Sequence, residues 1–215
     1  MSLATFWIED TIAPLSPLPG FTAGTTQDWH ELARINQLSD AEVIERRNDG
    51  HRPYVARIND QPVAYGWLAT RKISIGELNI NVDLPPDDRY LWDFATLPEW
   101  QGRGLYPRLL QSILKQESQN AKRFWIIHAP ENLPSGAGMN KAGFEFVGQL
   151  SFTVDGNVGL APYPDSTERA RTGANLLQVP LIETVLAPCW HCGSMVARLP
   201  DRADIDSCWP PRRMS

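Results

Sequence analysis

The sequence predicts an α/β chain built on a mixed sheet (an α+β mixed sheet with one parallel pair), and three observations carry that prediction. Residues 90–97 and 123–128 are apolar runs of strand length. Between them, residues 101–120 place Leu105, Leu109, Leu110, Ile113 and Leu114 on one helical face. Strand, long helix and strand in that order form a right-handed crossover, so the two strands are expected to be parallel neighbours. Upstream, residues 54–58 and 63–68 flank Asn59-Asp60 as an antiparallel hairpin. Parallel and antiparallel pairs therefore share one sheet.

The remaining elements follow in chain order. Residues 1–20 carry Pro14, Pro17, Pro19 and Gly20 and read as an irregular lead-in. A short strand over 21–24 precedes a helix capped by Thr26 or Asp28, whose apolar stripe is Trp29, Leu32 and Ala33. Ser39 and Glu42 have capping-box spacing and open a second helix that ends near Asn48-Asp49-Gly50. After the hairpin come a third extended piece over 73–82 and a turn over 85–88. A short helix over 135–142 and a strand over 144–153 complete a domain assigned to residues 21–160. Pro162, Pro164, Pro180, Pro188, Pro200, Pro210 and Pro211 then crowd residues 161–215, a Pro-rich C-terminal extension with one helix expected over 166–178.

At 215 residues the chain is long enough for one sizeable domain with appendages, given about 150 residues per domain. Lys and Arg number 20 against 25 Asp and Glu, a net charge of −5, where a nucleic-acid-coating protein would show a basic surplus. No run of about 18 apolar residues is present to span a membrane as a helix. Phe6-Trp7-Ile8 meets Glu9 and Asp10 at once, unlike a signal peptide. The odd count of 3 cysteines fits a reducing, cytoplasmic setting better than a disulfide framework.

The chemically informative segment runs from Thr96 through Leu97, Pro98, Glu99, Trp100, Gln101, Gly102, Arg103, Gly104 and Leu105 to Tyr106. It lies where a buried strand ends and a helix begins. The first turn of a helix offers free N–H groups and the positive end of its dipole, and glycines let an anion approach the backbone. A phosphate or pyrophosphate cradle is one reading; a tight strand-to-helix turn that needs two glycines is the other. A dinucleotide fingerprint would need glycine at 107, where Pro107 stands, and the P-loop sequence is absent.

This segment resembles the acyl-CoA signature of the GNAT superfamily of N-acetyltransferases, Q/R-x-x-G-x-G/A preceded by V-x-P-E. A second family element, N-x-x-A-x-x-x-Y-x-x-x-G-F, is matched in spacing by Asn132, Ser135, Met139, Gly143 and Phe144. The resemblance covers roughly residues 20–155 and implies a GNAT-type fold with acetyl-CoA in a gap between the two parallel strands. It implies an N-acetyltransferase that moves acetyl directly from acetyl-CoA to an amine, either a small molecule or a peptide. On that resemblance Phe94, Ala95, Thr96, Gln101, Gly102, Arg103, Gly104, Leu105, Tyr106, Asn132 and Ser135 would hold the cosubstrate. Backbone N–H groups near Ala95 and Thr96 would polarise the thioester carbonyl, and a homodimer is a family-level expectation. Two departures stand out: Tyr106 replaces a small residue, and Met139 stands where the family often has a proton-donating tyrosine. Methionine donates no proton, which leaves that role empty or filled from elsewhere. A CoA-binding module without turnover is the alternative, and an interaction protein using the proline-rich tail is a third reading.

An amine with a pKa near 10.4 is protonated at neutral pH, so a base is useful. Asp93, in the apolar strand before the signature, is the candidate; a carboxylate there needs a partner, and a purely structural ion pair is the competing reading. Glu77 is a fallback. His128 ends a buried strand and reads as a core histidine, His30 and His51 as surface residues. The 8 tryptophans, Trp7, Trp29, Trp67 and Trp92 among them, are spread over different elements and read as packing. Cys189-Trp190-His191-Cys192-Gly193 has the shape of a zinc knuckle with Cys208 beyond, but Pro211 occupies the place of a fourth ligand, so no metal site is assigned.

Overall fold

The computed structural model describes residues 1–153, 155–183, 186–188 and 195–197. The cysteine knuckle, with Cys189, Cys192 and Cys208, lies outside the described residues. One mixed sheet organises the chain, in the order β12-β11-β9-β1-β8-β7-β4-β3-β2, with β10 also paired to β9. Its strands are β1 (Ser2–Trp7), β2 (Phe21–Thr25), β3 (His51–Ile58), β4 (Gln61–Ala69), β7 (Asp88–Thr96), β8 (Arg123–His128), β9 (Glu145–Phe152), β10 (Val158–Pro162), β11 (Leu186–Pro188) and β12 (Met195–Ala197). A separate hairpin joins β5 (Lys72–Ile75) to β6 (Ile80–Asp83). Among the described residues five helices cover the sheet: α1 (Trp29–Asn36), α2 (Asp40–Asn48), α3 (Leu105–Glu117), α4 (Leu133–Ala142) and α5 (Thr167–Leu177).

The α/β class, the hairpin, the capping box and the parallel crossover are as the sequence predicts. Ser39 and Glu42 cap each other reciprocally at α2. β7 and β8 are parallel from the Asp88–Arg123 pair to the Leu91–Ile126 pair. On one face of the sheet α3 and α4 bury Leu109, Leu110, Ile113, Met139 and Ala142. On the other, α1 and α2 cover Val55 and Trp67, while α5 and the β5–β6 hairpin cover Leu3, Trp125 and Leu150.

Residues 1–20 are not an irregular lead-in. Their first part is β1, a central strand antiparallel to both β8 and β9. Leu3 faces α5 and Ala4 and Phe6 face α3 and α4, so both faces are buried and no polar alternation marks the strand. Its polar members are satisfied internally; Thr5 donates to the Phe124 carbonyl at 2.9 Å. The chain then turns at Asp10, whose carboxylate accepts from the Trp7 amide and two Arg169 nitrogens. It runs back along α3, where Gln111 and Arg108 donate to the carbonyls of Ala13 and Ser16.

Three other boundaries move. The extended piece over 73–82 is two strands, because a 3-10 turn (Gly76–Leu78) and left-handed Asn79 reverse the chain. The helix expected from 101 starts at Leu105, since Gly102 and Gly104 have φ of 76° and 68°. Past residue 160 the described residues stay on the same sheet. β10 spans that position, and α5 approaches so closely that a Cβ on Gly173 would lie 2.7 Å from Leu3 Cδ2.

Candidate active site

β7 and β8 lose their pairing after Leu91 and Ile126. β7 continues along β4 to Thr96, and β8 along β1 to His128, so a cleft opens between them. It holds about 700 Å³. Phe94, Ala95 and Thr96 form one wall, the turn around Gly102 and Gly104 the floor, and Asn132, Ser135 and Gly138 of the α4 segment the opposite wall. Leu97 donates its amide to Val63 of β4 at 2.9 Å, so strand alternation turns the Thr96 backbone to the cleft side. Gln101 Nε2 meets the Thr96 carbonyl there, at 3.1 Å.

The floor is the end of a helix dipole. α3 begins after Gly104 with no side-chain cap, leaving first-turn amides without side-chain partners. Pro107 removes one donor from that turn. Leu105 and Tyr106 line the cleft with Gln101, Gly102 and Gly104. Arg103 does not line it; its guanidinium donates to the Glu99 carbonyl at 3.2 Å and lies 4.7 Å from the Trp100 ring centroid. Asn132 caps α4 by accepting from the Ser135 amide at 3.1 Å while also lining the cleft.

Asp93 sits at a bulge. Tyr65 pairs with Ala95 and Trp67 with Trp92, so Gly66 alone opposes both Asp93 and Phe94. Asp93 has φ of 50°, and the Phe94 ring occupies the space a Cβ on Gly66 would fill, 2.0 Å away. The bulge sends Phe94 to the α3 face and Asp93 to the α1–α2 face. There Arg46 donates to Asp93 Oδ2 at 2.5 Å and Asn36 Nδ2 to the same oxygen at 3.3 Å. Asn36 in turn accepts from Trp67 Nε1 at 2.7 Å, and Arg46 lies over the rings of Trp67 and Trp92. Asp93 is therefore not among the cleft-lining residues and carries the arginine partner that its apolar strand demands.

The other candidates fall apart from the cleft. Glu77 is exposed on the 3-10 turn, and His30 is exposed beside Asp40 at 2.7 Å. His51 is not a plain surface residue: it stands edge-on to Trp92 at 5.0 Å, and burial pulls its pKa below the ordinary histidine value. Burial does the same to His128, against a backbone bond at Ala129. Both histidines resist a proton that the unfolded chain accepts. Their contribution to stability is full above the unfolded value of 6.5 and is lost as pH falls below it. The melting temperature is expected to drop between pH 7.5 and 5.5, and His51→Gln with His128→Gln should flatten that drop.

Three features of the site escape a reading of the sequence: Lys141 and Gly138 on α4 and Arg46 against Asp93. Ser135, Gly138 and Lys141 are spaced by three and share one helical face, so a helical wheel anchored on Asn132 would have found two of them. Nothing local marks Arg46, which is 47 positions from its partner.

A mixed sheet parted between two parallel strands, with an uncapped helix N-terminus at the opening, places the chain among α/β folds with a cleft at a sheet split. The profile of the acetyltransferase (GNAT) family matches residues 19–144, and the chain belongs to that family. Among solved structures it is similar to a GCN5-related N-acetyltransferase from Kribbella flavida, 18% identical over 67% of this chain and 53% of that one, with a TM-score of 0.47. An acetyltransferase of the GNAT family from Novosphingobium aromaticivorans is 16% identical over 67% of this chain and 59% of that one, TM-score 0.47. An aminoglycoside acetyltransferase in complex with coenzyme A and kanamycin is 19% identical over 70% of this chain and 99% of that one, TM-score 0.50. At these identities the likeness is one of fold, and the chain spans little more than half the length of the first two. No curated protein matches the sequence significantly.

Proposed function

We propose that this protein is an acetyl-CoA-dependent N-acetyltransferase that passes the acetyl group directly to an amine. The observation that carries the proposal is the cleft between β7 and β8 with the uncapped start of α3 at its floor. Amides of residues 102–106 receive the pyrophosphate, with Gly102 and Gly104 leaving the backbone open to it. Asn132 and Ser135 take the pantetheine arm on the α4 side. Phe94 and Thr96, two positions apart on the unpaired edge of β7, direct backbone N–H groups at the thioester carbonyl, which stabilises the charge that develops on its oxygen. The aminoglycoside enzyme's complex with coenzyme A supports a coenzyme A moiety as the ligand of this cleft.

The acceptor amine enters from the α1–α2 face, where Asp93 stands at the bulge. Among the described residues both hydrogen bonds to Asp93 fall on Oδ2. Oδ1 takes the amine proton, directly or through one water. Asp93 thus has a fixed orientation from Arg46 and a free oxygen for chemistry. The acceptor class is a cationic or neutral amine, small molecule or peptide, consistent with the net charge of −5.

Calorimetric titration with acetyl-CoA tests the cofactor, and thiol release with a panel of amines tests turnover. Micromolar affinity, about −8 kcal/mol, is expected. Asp93→Asn is expected to lower kcat by at least about tenfold, and up to the hundredfold or more of a lost general base, without changing acetyl-CoA affinity. No binding by the unaltered protein would overturn the reading; binding without turnover on any amine would favour the non-catalytic module.

A further inference from the structure

Breaking the C–S bond of a thioester leaves a thiolate, and its departure is helped by an O–H group positioned to donate a proton. Met139 is fully buried on α4 and has no proton to give. Three hydroxyl side chains line the cleft: Thr96, Tyr106 and Ser135. Tyr106 is placed differently from the other two. Its ring stands edge-on to Phe94, with centroids 5.6 Å apart, at the wall where β7 leaves β8. On its other side it lies against α4, in a space that exists only because residue 138 is glycine. A Cβ there would fall 2.4 Å from Tyr106 Cδ1. A large residue at 106, none at 138 and an aprotic one at 139 thus form one complementary set. The ring does not shut the opening, since Tyr106 lines it together with Gly102 and Gly104.

Ser135 completes the arrangement. Its hydroxyl interacts with the Tyr106 hydroxyl and lies 3.8 Å from Met139 Sδ. Burial pushes the Tyr106 phenol up to about 12, so it is protonated throughout the neutral range, and the Ser135 contact opposes that shift.

We propose that Tyr106 is the catalytic residue that protonates the departing sulfur, with Ser135 as the hydroxyl that returns a proton to it. The assignment rests on the acetyl-transfer reading given above. As the N–C bond forms and the C–S bond breaks, the sulfur takes the phenolic proton. Ser135 passes a proton from solvent to the phenolate. The proton leaving the amine nitrogen reaches solvent through Asp93, so one proton departs from nitrogen and one arrives on sulfur.

The test uses free CoA and an analogue of CoA lacking the sulfur, titrated into the unaltered protein and Tyr106→Phe between pH 7 and 9.5. An O–H that donates to sulfur stabilises bound thiolate. CoA should therefore bind about tenfold more tightly as pH passes the thiol range near 8.5, while the analogue should not. Tyr106→Phe keeps the ring against Gly138 and should abolish this pH dependence. With an accepted amine its kcat should fall about a hundredfold while the KM for acetyl-CoA stays within about twofold. Matching profiles for CoA and the analogue with the unaltered protein would overturn the Tyr106 assignment alone, whatever the variant does. An undiminished pH dependence in Tyr106→Phe would overturn it too. Failure of the unaltered protein to bind either compound would overturn the cofactor reading itself, and this assignment with it.

Discussion

Gly104→Asp is expected to weaken acetyl-CoA binding at least about a hundredfold, roughly 2.8 kcal/mol at 1.4 kcal/mol per tenfold. Two effects act together. The residue has φ of 68°, which a side chain adopts with strain of about 1 kcal/mol, least for Asn and Asp. The larger effect is electrostatic: a carboxylate placed at the first turn of α3 occupies the positive end of the dipole and repels the diphosphate. Stability should fall by no more than about that 1 kcal/mol of strain, because the atom nearest an added Cβ is Arg108 Nη1 at 2.7 Å, the far end of a flexible side chain. Gly104→Ala separates the effects, since it adds the strain without the charge and should cost about tenfold or less. Gly76→Ala is the control, because a Cβ there meets nothing within 4 Å. Wild-type affinity in Gly104→Asp would move the phosphate site away from the 101–106 turn.

How far the site is legible in the sequence depends on the range over which each feature is specified. The strand–helix–strand run from 90 to 128 encodes its own crossover, because period and length are local. The same holds for the Ser39–Glu42 box, and both stand in the structure, with the helix start moved from 101 to Leu105 by the glycine turn. β1 is not local in that sense. Ser2, Leu3, Ala4, Thr5 and Phe6 are buried together, so period 2 is erased, and the strand's hydroxyl bond reaches a carbonyl 119 positions away. The prolines at 14, 17 and 19 belong to the segment that follows, which Arg108 and Gln111 hold by its carbonyls. The bulge at Asp93 is likewise set by two strands at once: Gly66 on β4 must lack a Cβ for Phe94 to lie over it. Asp93 as a residue was conspicuous in its apolar strand; its face was not, because only the bulge decides that.

The larger stability effect is expected at the other end of α3. Glu117→Leu should destabilise the fold by about 3–5 kcal/mol, the range for breaking a buried charge pair from one side. Glu117 is 4% exposed and accepts from Arg52 Nη1 at 2.8 and 3.0 Å, from the Tyr54 hydroxyl at 2.7 Å and from Arg89 Nε at 3.4 Å. Arg52 is about half exposed and can turn to water, so its loss contributes little. Arg89 cannot. It is 7% exposed, and its remaining bonds go to the neutral carbonyls of Pro86, Asp88 and Asn120. Leucine would leave a buried guanidinium without a counter-charge and the buried Tyr54 hydroxyl without its acceptor. Tyr54→Phe, which removes only the hydroxyl, should cost about 0.5–1.5 kcal/mol, and Glu117→Gln should fall between the two. The urea midpoint at constant m-value reads all three. A cost below about 1 kcal/mol for Glu117→Leu would mean that Arg89 finds solvent on its own and that this cluster does not hold α3 to β3 and β7. Because α3 carries the cleft floor at its first turn, the variant also asks whether the site tolerates a loosened last turn: acetyl-CoA affinity should be retained wherever the protein is folded.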